Sequence, residues 1–170
     1  MVDNDKTNND GISRSEFSLM VHDHLNEYIK VADRKASLLL SAQIAFLGLF
    51  ANLVNSSWNT APDSFKLFSA LTVVALVAAG VFAAKAVYPN TPETSQGLIL
   101  WTSIVDGSAN DYQNSIAEKS EIELRDELVD ENYQLARVTK GKYKDIRYTI
   151  GATAVAIFFA LISGIVLFAV

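Results

Sequence analysis

With 170 residues, half of them hydrophobic, and a net charge of −5 from 14 basic and 19 acidic side chains, the chain is too apolar for an ordinary small soluble domain and too acidic for a general nucleic-acid binder. It has no cysteine, which excludes disulfides, thiolate metal sites and a cysteine nucleophile. Its charges are segregated into some stretches and missing from others, as a bilayer demands when a charge at its centre costs about 2.5–3.5 kcal/mol.

Residues 1–12 are Asn/Asp-rich and polar, and are expected to be a disordered tail. The tail has no apolar run behind a basic start, so it does not read as a cleaved signal peptide. Ser13-Arg14-Ser15-Glu16 has the form of a capping box, in which a serine and a glutamate satisfy each other's free backbone N–H groups. Phe17, Val21, Leu25, Tyr28, Ala32 and Ala36 then recur at the three- and four-residue spacing of one helix face. This predicts one long helix from Arg14 to about Val54, with residues 13–35 outside the membrane and residues 36–54 crossing it. The second part has 19 residues without a charge and, at about 1.5 Å per residue, matches the hydrocarbon core of a bilayer.

Residues 55–63 form a short polar loop carrying Trp58 and Pro62. A second span covers residues 67–87, its charge-free stretch 67–84 bounded by Lys66 and Lys85, and Tyr88-Pro89 closes it. Ala75, Ala79 and Ala83 make a small-residue ridge on it that lets another helix come close, either within the chain or in a second subunit. Residues 90–96 read as loop, residues 97–105 as an apolar piece too short to cross a bilayer, and Asp106-Gly107-Ser108 as a turn. A polar helix follows from about residue 110 to 143. It is acidic first (Glu118, Glu121, Glu123, Asp126, Glu127, Asp130, Glu131) and basic last (Arg137, Lys140, Lys142, Lys144, Arg147), which suits the helix dipole. A third span covers residues 148–170, with a second ridge of Ala152, Ala156, Ala160 and Gly164. The fold class is therefore an all-α membrane protein: three transmembrane helices, a long N-terminal helix and a helical region (88–147) between spans two and three. The Lys/Arg asymmetry places the N-terminus and residues 88–147 in the cytoplasm of a multi-pass cell-membrane protein. The two extramembrane pieces each carry an apolar stripe that neither can bury alone, so a homo-oligomer is expected.

No G-x-G-x-x-G, Walker A, G-x-S-x-G or H-E-x-x-H pattern occurs, and no nucleophile, base and orienting group can be named. The chain reads as non-enzymatic, with no cofactor and no metal. His22 and His24 point about 200° apart on a helix, so they cannot chelate one ion together, and the His22-Asp23-His24 triplet reads as solvated surface. Gln43, near the middle of the first span, has two readings: an amide bonded to a neighbouring helix, or a residue facing a pore or cavity. Asp33, Arg34 and Lys35 also have two. Arg34 and Lys35 could anchor to anionic headgroups, or converge with Arg137, Lys140 and Arg147 on a phosphate.

The order of parts resembles a known family. Asn26-Glu27-Tyr28-Ile29 leads into Ala32-Asp33-Arg34-Lys35-Ala36-Ser37, which is similar to the A-D-x-K-A-S start of the first span in the transmembrane effectors of Pycsar, the pyrimidine cyclase system of antiphage resistance. The likeness continues through Tyr88-Pro89, the short apolar piece at 98–104, and Leu135-Ala136-Arg137 with Lys142-Tyr143, covering nearly everything from Asn26 onward. The resemblance implies an effector of antiphage immunity that responds to cyclic UMP or cyclic CMP from a partner cyclase by impairing the membrane. A ligand site would then be built from the cytoplasmic helices. The competing class is a constitutive oligomeric membrane scaffold with no small ligand.

Overall fold

The computed structural model describes residues 12–88, 98–99, 104–105 and 108–169. Residues 1–11 of the expected tail, the loop at 90–96, most of the short apolar piece and Asp106-Gly107 lie outside the described residues. Four helices are described: α1 (Arg14–Ser57), α2 (Asp63–Val87), α3 (Ala109–Ala117) and α4 (Glu121–Phe168). Of these, α1, α2 and α4 are long and apolar enough to cross a membrane.

Three of the four helices begin at a serine–carboxylate box that satisfies free N–H groups, whereas α2 starts after Pro62 with no side-chain cap. At α1 the Ser13 amide donates to Glu16 Oε2 (2.9 Å) and the Glu16 amide to Ser13 Oγ (3.2 Å), and these bonds hold the Glu16 carboxyl below its ordinary range. Ser108 and Asp111 form the same box at α3. A third starts α4, where the Ser120 amide donates to Glu123 Oε2 (2.8 Å) and the Glu123 amide to Ser120 Oγ (3.4 Å). That box divides the polar helix expected over 110–143. A short α3 precedes the break, and after it α4 runs unbroken for 48 residues into the third span. The α2 helix stops at Tyr88, whose amide donates to Ala84 O at 2.9 Å, one residue before Pro89, which could not continue it.

The chain divides into two units: Met1–Asn26 with Pro92–Ala136, and Glu27–Thr91 with Arg137–Val170. In the second, the membrane unit, the usual order of a globular core is inverted. Ala32, Ala36, Ala79, Ala83, Ala86, Ala156, Ser69, Thr72, Thr149 and Ser163 are buried, whereas Leu38, Leu49, Val74, Leu161 and Ile165 are exposed. Lipid solvates the outer side chains as well as any core could, so helices associate through small residues that let backbones approach.

Along α2 the buried positions are 65, 69, 72, 76, 79, 83 and 86. Along α4, buried Lys142, Ile146, Thr149, Ala156 and Ser163 follow the same alternation of four and three, with Thr153 and Ala160 half-buried between them. This spacing averages about 3.5 residues, the period of left-handed helix packing. The expected ridges run strictly every four residues and drift about 40° per step off that line. Hence Ala79, Ala83 and Ala156 are fully buried while Ala75, Ala152, Ala160 and Gly164 are half-buried. For the buried members, the ridge serves packing within the chain.

Overpacking this seam should destabilise the unit. Ala79→Leu is expected to cost about 1–3 kcal/mol, lowering the melting temperature in detergent, whereas the exposed control Val74→Leu should leave it near wild type. Equal melting temperatures for the two variants would refute the inverted packing.

Candidate functional site

At the end of the membrane unit where α2 finishes, a single ammonium joins all three spans. Lys142, on α4, is 7% exposed. Its Nζ pairs with Asp33 Oδ1 of α1 and donates to Ala86 O of α2 at 2.7 Å. Ala86 lies in the last turn of α2, where carbonyls have no amide ahead of them to accept from, and a cation there also complements the negative end of the helix dipole. Around the pair, Ala32, Ala36, Ala86 and Ile146 form a buried cluster, flanked by Leu39, Val87 and Tyr143. The small alanines let the three backbones close around the lysine. Asp33 keeps a 39% exposed side chain, so the pair has one dry member and one wet one.

The other expected charge-bearing residues lie on the same helices as the latch, Arg34 and Lys35 on α1 and Arg137, Lys140 and Arg147 on α4. Arg34, Lys35, Arg137, Lys140 and Arg147 are all exposed. Lys35 reaches α4 by placing its Nζ 5.8 Å from the Tyr143 ring centroid, and Tyr143 meets Tyr28 edge-on. Arg34, Arg137, Lys140 and Arg147 make no ion pair with another described residue. Arg137, Lys140, Lys144 and Arg147 follow a three-four-three spacing along α4, which makes one exposed basic stripe. Lys142 lies within that basic run, which suits the helix dipole, yet its side chain is turned inward onto Asp33 and Ala86 O. The available signal was its phase, four residues before Ile146 and seven before Thr149 on the apolar line of the third span.

Farther into the span, Gln43 is 5% exposed and its Nε2 donates to Thr153 Oγ1 at 2.8 Å. Toward the other end, Ser69 Oγ and Ser163 Oγ share a hydrogen bond of 2.8 Å. The membrane unit is thus pinned at three levels by polar contacts.

The first unit has its own polar lock. Asn132 is buried; its Nδ2 donates to Ser18 O at 2.8 Å, and its Oδ1 lies 3.2 Å from His22 Nδ1. His22 is therefore half-buried and partnered, not solvated, because Asn132 brings α4 against that turn of α1. The same contact places small Ser18 inside and leaves Phe17 exposed, one position off the expected stripe. Burial pushes the neighbouring Glu131 carboxyl above its ordinary range, with His22 acting in the opposite sense.

Three long helices with small and hydroxylated inner faces, large apolar outer faces and a buried lysine at one end define a multi-pass helical membrane protein with an extramembrane helical part. The chain belongs to the Pycsar effector family. The family model described as the Pycsar effector protein domain matches residues 17–170, which carries the resemblance upstream of Asn26 as far as Phe17. The Pycsar effector protein SaPycTM of Staphylococcus aureus is 28% identical over 137 residues, 80% of this chain and 85% of that protein. No solved structure matches the chain. Membership makes it a membrane effector of antiphage defence.

The latch can be tested by a double-mutant cycle. Asp33→Ala leaves a buried ammonium with half its partners and should destabilise the unit by about 3 kcal/mol, the low end for a broken buried pair because Asp33 is part-exposed. Asp33→Ala combined with Lys142→Met should recover much of that loss in thermal unfolding. Strictly additive losses would show that the pair is not coupled.

Proposed function

We propose that the chain is a non-enzymatic, nucleotide-triggered effector. Cyclic UMP or cyclic CMP from a partner cyclase binds at the cytoplasmic end of the membrane unit, rearranges the spans and impairs membrane integrity. The observation that carries this reading is the Lys142 latch, one ammonium joining α1, α2 and α4, immediately beside the exposed cations Arg34 and Lys35. A cyclic monophosphate has one negative charge. Held by Arg34 and Lys35, with Arg137, Lys140 and Arg147 completing the basic surround, it would sit next to the Asp33 carboxylate and alter the balance that keeps Lys142 in place.

Magnitudes require several contacts. A charge-assisted hydrogen bond contributes about 1.5–3 kcal/mol, while shifting a population from 1:99 to 99:1 takes about 5.5 kcal/mol of differential affinity. One cation is insufficient; two or three, or several subunits acting together, are enough. A homo-oligomer is part of the reading, supported by exposed Phe17, Met20, Ile122 and Tyr133 in the extramembrane unit, an apolar surface that a second copy can cover. The partners are then the lipid bilayer, further copies of the chain and the nucleotide, with no nucleic acid.

Cells expressing the wild-type chain should depolarise when cyclic UMP or cyclic CMP is supplied. Arg34→Ala with Lys35→Ala should abolish that response while membrane insertion is retained. A double variant that still depolarises cells on nucleotide addition places the site elsewhere, and a wild-type chain indifferent to both nucleotides favours the constitutive scaffold.

The orientation in this reading comes from Lys/Arg placement, with a cytoplasmic N-terminus. A reporter active only outside the cytoplasm should work when fused after Val170 and fail when inserted at Ser108. The opposite pattern would invert the topology.

A further inference from the structure

We infer that the buried polar seam centred on Gln43 is the face that takes up water and lines the path of small monovalent ions when the three spans part. This rests on the proposed function and gives it a route through the membrane. Gln43 is spoken for on one side only: its Nε2 donates to Thr153 Oγ1, and Thr153 Oγ1 donates on to Thr149 O, both at 2.8 Å. Among the described residues its buried Oε1 accepts no hydrogen bond. That oxygen faces α2 at Gly80, where an added Cβ would stand 3.9 Å from it, so at this point of the seam it meets a helix with no side chain to donate to it. An amide oxygen without a donor carries its full desolvation penalty. A leucine would fill the same position without that penalty, so packing alone does not account for a glutamine here.

The seam continues in both directions in the same chemistry. Thr149 and Thr72 are fully buried, and their hydroxyls donate back to Asp145 O (3.0 Å) and Phe68 O (2.9 Å). Each hydroxyl oxygen therefore keeps acceptor capacity for water. Beyond them lies the Ser69–Ser163 pair, whose mutual bond is readily exchanged for bonds to water. At the opposite end stands the Lys142 latch. Separating the spans would turn these hydroxyl and amide oxygens toward a common opening, whereas the outward faces at Leu38, Val74 and Ile157 would stay against lipid.

The test uses the full chain in vesicles of phosphatidylethanolamine and phosphatidylglycerol. Because the native chain has no cysteine, a single introduced thiol reports its own position. With cyclic UMP or cyclic CMP present, Gln43→Cys, Thr72→Cys and Thr149→Cys should react with a charged, membrane-impermeant methanethiosulfonate roughly tenfold faster than Leu38→Cys, Val74→Cys and Ile157→Cys, and without nucleotide the seam thiols should lose that advantage, because thiolate chemistry requires water. Gln43→Glu should raise the permeability of potassium relative to chloride by roughly tenfold, as carboxylates in a pore select cations, a change that a purely structural glutamine would not produce. Labelling of lipid-facing thiols as fast as seam thiols with nucleotide present, or a leak whose selectivity ignores Gln43→Glu, overturns the inference and leaves the proposed function standing. A leak indifferent to both nucleotides overturns the proposed trigger, while seam labelling in that leak still decides the inference. Wild-type vesicles that never leak overturn the inference, with nucleotide-dependent depolarisation of cells judging the proposed function separately.

Discussion

The contact between the Lys142 ammonium, Asp33 and the carbonyl of Ala86 is the constraint on which the membrane unit depends. Removing a lysine head from water costs several kcal/mol, recovered only if its hydrogen bonds are met with good geometry. Two acceptors from two different helices meet it here. The arrangement therefore constrains three backbones at once: any displacement of α1 or α2 relative to α4 strips a buried cation of a partner. A leucine at the same position could pack as tightly and would be indifferent to such sliding. The energetic cost of the lysine is what makes the arrangement discriminating.

Below the latch the unit has little directional attraction. In lipid, apolar side chains gain nothing by turning inward, so cohesion comes from close packing of Ala32, Ala36, Ala79, Ala83 and Ala156 and from hydrogen bonds between hydroxyls and amides. The Gln43–Thr153 and Ser69–Ser163 contacts are each of modest strength, about 0.6 kcal/mol on average for interhelical bonds in a membrane. A three-helix unit held by one strong contact and a few weak ones can rearrange without passing through an unfolded state. That combination suits a membrane effector of antiphage defence.

The extramembrane unit is built by different rules. Its helices begin at serine–carboxylate capping boxes, and its buried contact is Asn132 bonded to Ser18 O and His22. Water competes for all these groups, so pairing is specific because each buried amide proton and oxygen of Asn132 would otherwise be left unsatisfied. Lys119 and Glu127 add an ion pair across the Ser120 break.

Much of this was legible in one dimension. Charge-free runs long enough to cross a bilayer can be counted, because the hydrocarbon core penalises charge residue by residue and tolerates little else. The Ser13–Glu16 box could be read for a similar reason: its partners lie three residues apart, so local geometry alone satisfies them. The Ser120–Glu123 box has the same local spacing and divides the polar helix, although the run of polar residues around it is long enough for one continuous helix. What only the tertiary structure decided were contacts between residues about 110 apart: Asp33 with Lys142, His22 with Asn132, Gln43 with Thr153. A lysine in a basic run looks solvated until a distant carboxylate and a helix-end carbonyl arrive beside it, and a ridge of alanines becomes a packing line only when a second helix sets the phase. Periodicity determines which face of a helix is apolar; it carries no information about which helix will meet that face.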